Sequence, residues 1–330
     1  MKLFLGYLKN SRPQESRIFT DREGFLVDLS LAYAAYLSNA RAELAFVYEL
    51  AALYFPRTIS AFLAKGEPSL EALCQLSAFL GETDLQSLRG PVGEELIYRP
   101  SEIRLLPPIL NPDKTLIIGF SDQVTDPMAK LRSKIPTAFY KFPRTFIASG
   151  DPITYPKFTQ DLDCDACLGM VVGKPGRRIP RERALEHIAG FTLVLDVTAR
   201  DICRRESLTR NNLLGKNFPG STPIGPSLYV GSSRQVLEDM QVELTVDEKV
   251  CQRFTARDLI FSVEDVVAHW SIVGLKTGDI LALGASLALK SDVVRRPAPL
   301  RPGSVLKCSS FEIGEINHEV VIETQQTPNP

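Results

Sequence analysis

The chain has 330 residues, enough for one large domain or two smaller ones with a sizeable core. Hydrophobic residues make up 44% and charged residues 23%, ordinary fractions for a folded globular protein that exclude extensive disorder. A formal net charge of −1 provides no positive field that would attract nucleic acid or an anionic membrane. The run MKLFLGYLKN is too short for a signal peptide, and no stretch approaches the ~18 consecutive apolar residues of a membrane helix. We therefore expect a cytoplasmic protein.

Residues 1–98 have the pattern of an accessory region. Residues 1–8 and 17–29 have the composition of β-strands, and the run DREG at 21–24 is typical of a hairpin turn. We therefore expect a small sheet at the start of the chain.

Helices are predicted to follow these strands. The stretch 30–63 is rich in Ala, Leu and Tyr at helical spacing. A further helix is predicted from Ser69, as its N-cap, to Leu80, with Gly81 marking its end.

A proline-rich segment separates this region from the rest. Residues 99–114 contain four prolines within RPSEIRLLPPILNP and are predicted to be a linker. From residue 115 the composition becomes β-rich, so we assign 115–325 to a second domain and 326–330 to a tail.

The stretch 161–230 carries the densest set of motifs. An alternating acidic segment, DLDCDAC, runs into the apolar strand LGMVV and stops at a Gly-Lys turn. A helix is predicted over 181–189, and the β-rich run 191–197 then places Asp196 near its end. Two strands that carry acidic groups to one end can bring carboxylates together as a site for a hard cation.

The alternation of side chains along the first of these strands separates its cysteines. Asp165 and Cys167 are two residues apart and should share a face, whereas Cys164 and Cys167 are three apart and should face opposite sides. The sequence has no second C-x-x-C pair to complete a zinc site, so we predict no redox or zinc motif here.

The motifs, taken in order, resemble a known family. The series D-x-C-L-x-M-V-V-G-K, H-I-A-G-F-T, D-V-T-A-R-D, G-K-N-F and P-I-G-P resembles the core signature of the fumarylacetoacetate hydrolase family. Matching pieces extend from about Leu116 to Val321, among them GDILALG and IGEINHEVV. The resemblance implies an α+β fold, a multi-layered β-sheet roll with short helices preceded by a small α/β N-terminal domain. It also implies a homodimer.

The resemblance implies a metal site that this sequence alters. In the family, two glutamates on one strand and an aspartate on the next hold Mg²⁺ or Mn²⁺; the matching residues here are Asp165, Cys167 and Asp196. A sulfur ligand disfavours magnesium and suits Zn²⁺. Alternatively, the two carboxylates bond nearby backbone and Cys167 is a small buried apolar residue. No organic cofactor is expected.

A second departure concerns the pair that activates water in the family. Placed without a gap, Thr125 stands at the histidine of that pair and Met128 at its glutamate. Threonine cannot take up a proton near neutral pH, and methionine has no titratable group. Asp122 or Asp126 could substitute for the pair if the loop is shifted.

Five further residues match or replace pocket positions of the family. Lys216 matches a lysine that steadies an enolate or carboxylate oxygen; the alternative is an ordinary ion-paired lysine. Cys203 stands where the family has a substrate-binding glutamine. Arg200, retained from the signature, Lys141 in FYKFP, and Ser286, next to an alanine that replaces a pocket threonine, are candidates for substrate contact.

Three functions are compatible with these residues. The first is an enzyme acting on an enolisable 1,3-dicarbonyl or oxo-acid by tautomerisation, decarboxylation, cyclisation or C–C cleavage, with Lys216 stabilising an enolate. Cleavage is disfavoured within this class because the water-activating pair is absent. The second is a non-catalytic pseudoenzyme that binds a small molecule. The third is a cysteine enzyme with Cys203 or Cys167 as nucleophile, which needs a neighbour that stabilises a thiolate.

Overall fold

The computed structural model describes residues 1–39, 44–119, 135–208, 213–231, 233–259, 261–284 and 299–323. Its architecture is α+β, with two β-sheets and mostly short helices, as the sequence predicted. The helices of these residues are α1 (Leu29–Asn39), α2 (Leu44–Tyr54), α3 (Ile59–Ala64), α4 (Glu67–Glu82) and the short helices Arg200–Ser207, Arg234–Asp239 and Val263–Trp270. Among them, none combines the length and hydropathy that a membrane span requires.

The strands fall into two sheets. They are β1 (Lys2–Leu8), β2 (Arg17–Arg22), β3 (Phe25–Asp28), β4 (Ile97–Tyr98), β5 (Ile103–Leu106), β6 (Thr115–Ile118), β7 (Ala138–Tyr140), β8 (Phe146–Ile147), β9 (Ile153–Tyr155), β10 (Leu162–Val172), β11 (Ile188–Ala199), β12 (Thr222–Val230), β13 (Gln241–Val246), β14 (Lys249–Thr255), β15 (Ile280–Gly284), β16 (Val305–Ser310) and β17 (Gly314–Ile322). The larger sheet has the order β4-β3-β2-β1-β12-β11-β10-β15-β6-β7, and the smaller one has the order β14-β13-β16-β17-β9.

The N-terminal strands are part of the larger sheet. β1 pairs antiparallel with β12, which joins the accessory region to the strands that carry the signature. β5, inside the segment predicted to be a linker, pairs with β1 along four residues. The segment 99–114 therefore contains ordered sheet, and the division into domains stays a prediction.

The larger sheet is covered on both faces. Leu168 of β10 belongs to an apolar cluster that includes Leu244 of the smaller sheet. Val194 of β11 belongs to another cluster, together with Phe62 of α3 and Leu76 of α4. Because both faces are buried, β10 and β11 are almost continuously apolar except where the signature places acidic residues.

The structure can be compared with three local predictions, one of a hairpin turn and two of helices. The hairpin between β2 and β3 turns at Glu23 and Gly24, whose φ angles of 51° and 83° suit a two-residue turn. The prediction of Ser69 as an N-cap was wrong: α4 is capped at Gly66, and the Ser69 hydroxyl donates to the carbonyl of Tyr54 at 3.0 Å. The helix predicted over 181–189 is the 3₁₀ helix Arg181–His187.

Gly190 provides a test of the strand packing. A Cβ at this position in β11 would lie 1.9 Å from the backbone oxygen of Tyr229 on β12, which cannot move aside as a side chain can. We expect Gly190→Ala to lower the free energy of unfolding by more than about 2 kcal/mol in urea titrations. Gly81→Ala, in α4 with open space around it, is the matched control and should be neutral or slightly stabilising. Equal midpoints for the two variants would contradict this packing.

The burial of His318 on β17 predicts that the stability of the fold depends on pH. Its Nδ1 donates to the carbonyl of Asp151 at 2.8 Å, and its buried Nε2 has no partner within the described residues. Burial lowers the pKa of His318, against the opposing effect of that carbonyl. Because the unfolded chain then takes up the proton first, stability should fall as pH drops below the ordinary histidine value of ~6.5.

His318→Gln keeps a donor for the Asp151 carbonyl but does not titrate. The free energy of unfolding of the wild type should therefore fall relative to this variant between neutral pH and about pH 5.5. His269→Gln, at a half-buried position, is the control and should retain the acid-dependent loss of the wild type. A difference between wild type and His318→Gln that does not change with pH would contradict the assignment.

Candidate functional site

Two long antiparallel strands place the acidic residues of the signature on one face. Asp165 of β10 lies directly opposite Asp196 of β11, and Cys167 lies opposite Val194. Side chains two residues apart on a strand share a face, so Asp163 joins the same group. The structure therefore places these carboxylates on one face of the sheet, and the metal-binding roles predicted for Asp165, Cys167 and Asp196 stay predictions.

Asp196 lies between two lysine ammonium groups. Its Oδ1 accepts a hydrogen bond from Nζ of Lys141 at 3.0 Å, and its Oδ2 accepts one from Nζ of Lys216 at 2.5 Å. Burial by itself would raise the pKa of Asp196, but the two ammonium groups bring it below its ordinary value. The carboxylate is therefore ionised and fully engaged.

Lys141 is saturated with hydrogen-bond acceptors. Besides Asp196, its Nζ contacts the carbonyl oxygens of Ser221 at 2.9 Å, Val197 at 3.4 Å and Lys216. An ammonium has three hydrogens, fewer than these four acceptors. Burial lowers the pKa of Lys141, and Asp196 opposes the shift. Since Lys141 is completely buried, its substrate contact stays a prediction, and its geometry is that of an anchor.

Lys216 is held differently. Its Nζ donates to Asp196 and to the hydroxyl of Thr198 at 2.8 Å, and it lies 4.4 Å from the ring centre of Phe139. Burial opposes the charged form, but Asp196 outweighs it, so the pKa of Lys216 is raised and the ammonium stays charged. Contacts among the described residues use two of its three hydrogens. No acceptor for the third hydrogen is found among the described residues.

Asn217 fixes the two lysines relative to each other. Its side-chain oxygen accepts from the backbone N–H of Phe142 at 2.7 Å, and its amide nitrogen donates to the carbonyl of Tyr140 at 2.9 Å. These bonds clamp the segment carrying Lys141 to the turn carrying Lys216. Asn217 lies within the G-K-N-F motif, but the motif alone does not indicate this role.

Arg200 bridges two carboxylates. Its Nε donates to Asp163 at 2.8 Å, and a terminal nitrogen donates to Asp165 at 2.6 Å. The other oxygen of Asp165 accepts from the side chain of Gln252 at 2.7 Å, whose own oxygen accepts from the backbone of Ala166. Sequence reasoning missed Gln252, because it lies on β14 outside the signature. Substrate contact by Arg200 stays a prediction.

The cysteines lie in different surroundings. Cys167 is buried in the apolar cluster below the site, and burial followed by the nearby carboxylates of Asp196 and Asp165 raises its thiol pKa well above the ordinary value. That is the opposite of what a thiolate nucleophile needs. Cys203 is buried beneath Gly215, where a Cβ would lie 2.5 Å from its sulfur. Cys164 belongs to the cluster on the other face of the sheet.

The side chains present do not fit a divalent cation. In the part of the chain that the structure covers, no three His, Cys, Asp or Glu side chains are arranged to hold a metal ion. Both oxygens of Asp196 and both oxygens of Asp165 already accept hydrogen bonds. Cys167 offers a soft sulfur to Mg²⁺ or Mn²⁺, and it would have to lose its proton beside two carboxylates to bind Zn²⁺. The arrangement therefore differs from the metal site that the resemblance implied.

Several predicted positions fall outside the described residues. These are Asp122, Thr125, Asp126 and Met128 of the expected water-activating loop, and Ser286 of the pocket. The predictions about them stay predictions.

The buried ion pairs of Asp196 predict a large stability effect. Asp196→Asn would leave two buried ammonium groups facing a neutral amide, and we expect a loss of about 3–5 kcal/mol in the free energy of unfolding. Asp21→Asn is the matched control, because Asp21 pairs with Lys2 at the surface and should contribute less than about 1 kcal/mol. Urea titrations of both variants measure the difference, and similar small losses would show that the Asp196 pairs contribute little.

Comparisons with known proteins identify the family. Residues 120–321 match the family described as fumarylacetoacetate (FAA) hydrolase, C-terminal. The chain is 32% identical over 262 residues to the mitochondrial oxaloacetate tautomerase fahd2 of Xenopus laevis, covering 77% of this chain and 80% of that one. It is 32% identical over 231 residues to the oxaloacetate tautomerase YisK of Bacillus subtilis, covering 68% and 75%.

Solved structures share the fold along almost the whole chain. A fumarylacetoacetate hydrolase from Exiguobacterium antarcticum superposes with a TM-score of 0.71 at 22% identity, covering 98% of this chain and 100% of that one. With the same coverage, a maleylpyruvate hydrolase from Sphingobium sp. SYK-6, solved with manganese(II) and pyruvate, superposes with a TM-score of 0.67 at 16% identity. The signature, the fold and the matched residues lead to one conclusion: this chain belongs to the fumarylacetoacetate hydrolase family.

Proposed function

We propose that this protein catalyses the keto–enol tautomerisation of a small 2-oxo acid, with oxaloacetate as the first substrate to test. The observation that carries the proposal is the third hydrogen of the Lys216 ammonium, which its contacts with Asp196 and Thr198 leave available. The names of the Xenopus laevis and Bacillus subtilis relatives support the reaction and the substrate class.

Tautomerisation places a modest demand on the protein. One proton leaves the oxo-acid and another returns to it, no water is added, and negative charge develops on the carbonyl oxygen that becomes the enol oxygen. A fixed ammonium aimed at that oxygen stabilises the charge as it forms, and it does so most effectively where water is excluded. Lys216, 7% exposed, has both the charge and the surroundings for this role.

Lys141 acts as a positioning residue in this proposal. It holds Asp196 and the carbonyl of Lys216 together without reaching a ligand itself. Asp196 in turn holds the Lys216 ammonium charged and restricts its rotation. The third ammonium hydrogen thus keeps its direction before substrate arrives, which is the preorganisation that electrostatic catalysis needs.

The two alternatives have less support from the described residues. Cys167 does not support a thiol mechanism, because burial raises the pKa of its thiol and disfavours the thiolate that such a mechanism needs. A pseudoenzyme that only binds an oxo-acid would keep the same lysine contacts, so the measurement of turnover separates it from the enzyme.

The test follows the decay of enol oxaloacetate by its ultraviolet absorbance. We expect the wild type to accelerate this decay and Lys216→Met to lower kcat/KM by about 10²–10³-fold, the size typical of a lost oxyanion-stabilising donor. Lys276→Met, which removes an exposed lysine paired with Asp113, is the matched control and should leave the rate unchanged.

Circular dichroism checks that the Lys216 variant folds. Full activity in a folded Lys216→Met protein would overturn the role of Lys216. A wild type without activity towards oxaloacetate and related 2-oxo acids would instead support the binding-protein alternative.

A further inference from the structure

We propose that the site of this protein works without a bound divalent cation, and that Cys167 is the residue that closes it to Mg²⁺ and Mn²⁺. The inference concerns metal binding, so it holds or fails independently of the reaction proposed above. It rests on three features of the described residues: the count of charges, the occupancy of the carboxylate oxygens, and the chemistry at position 167.

The charges of the site balance without a metal. Three carboxylates converge there, those of Asp163, Asp165 and Asp196, and within the described residues three cationic side chains contact them: Lys141, Arg200 and Lys216. Adding a dication to this largely buried set would introduce two positive charges that no further side chain among these six offsets, which is unfavourable where water is mostly excluded.

The carboxylate oxygens are already committed to protein donors. Each oxygen of Asp196 accepts a hydrogen bond from one of the two lysines. One oxygen of Asp165 accepts from Arg200 and the other accepts from Gln252. Each oxygen keeps a second lone pair, but a cation bound to Asp196 or Asp165 would lie beside the ammonium or guanidinium groups that already contact the same carboxylate, and the ammonium of Lys141 has no exposed surface towards which to move away. Release of the donors would leave buried charges without partners.

Position 167 supplies no compensating ligand. Cys167 lies two residues from Asp165 on the same face of β10, and it is buried in the cluster that contains Val171 and Val194. Its sulfur is a poor ligand for hard cations, which select carboxylate and carbonyl oxygens. A carboxylate at this position would add one of the two negative charges that a dication needs, and two oxygen ligands beside Asp165.

The test measures binding rather than activity. Protein purified without added metal should contain no stoichiometric Mg²⁺, Mn²⁺ or Zn²⁺ by mass spectrometry. In calorimetric titration the wild type should show no saturable Mn²⁺ binding up to about 1 mM, the weak end of protein sites for divalent cations. One tightly bound ion per wild-type chain would overturn the proposal, whatever the variants do.

Two variants test whether a carboxylate at position 167 is what allows a metal ion to bind. Cys167→Glu should bind Mn²⁺ at least about tenfold more tightly than the wild type. Cys167→Gln is the matched control: it has the same size without the charge, and should bind no better than the wild type. Cys167→Asp is the second variant if the glutamate does not fold.

The remaining outcomes also decide the proposal. Folded Cys167→Glu and Cys167→Gln proteins that bind Mn²⁺ equally would overturn the role of Cys167, as would folded carboxylate variants that gain nothing. Turnover of oxaloacetate by the protein kept in chelator should continue at the untreated rate. Loss of turnover that Mn²⁺ restores would contradict metal independence, whereas absence of turnover under every condition bears on the proposed function alone.

Discussion

The site depends on one buried carboxylate shared by two lysines. Asp196, Lys141 and Lys216 are all nearly or fully removed from solvent. Taking such ions out of water costs several kcal/mol each, and the cost is offset only when each charge meets well-aligned partners. The three side chains meet that condition through hydrogen bonds to one another, to Thr198 and to the backbone of the turn that carries Lys216. The strands and the turn therefore have little freedom to move apart.

Two residues of the same type perform different tasks because their surroundings differ. Lys141 is enclosed by acceptors that outnumber its hydrogens, so it works as an internal brace. Lys216 lies at the edge of the same cluster, with a slight exposure and an aromatic ring against its ammonium. Burial lowers the pKa of Lys141, whereas the carboxylate of Asp196 raises the pKa of Lys216 against the effect of burial. Lys141 therefore serves as a structural anchor, and Lys216 is the charged hydrogen-bond donor.

The sequence predicted the fold and the convergence of the site better than it predicted local boundaries. Asp165, Cys167 and Asp196 were placed on one face by strand alternation and the order of the signature, both of which can be seen in the sequence without knowledge of tertiary contacts. The cap of α4 was missed because Ser69 is bonded across the fold to Tyr54, a contact that no local pattern reports. The sequence could not predict the contact of Gln252 with Asp165 or the number of acceptors around Lys141, for the same reason. Both arise where segments that are distant in the chain meet.

The central claim is that Lys216 receives an oxo-acid oxygen directly, with no metal between them. A crystal structure of the protein soaked with pyruvate and manganese tests this most directly, because the manganese reveals itself by anomalous scattering. The account predicts a pyruvate oxygen about 2.7–3.1 Å from Nζ of Lys216 and no anomalous peak between Asp165 and Asp196. A manganese ion held by those two carboxylates, with pyruvate bound to the metal and out of reach of Lys216, would contradict it.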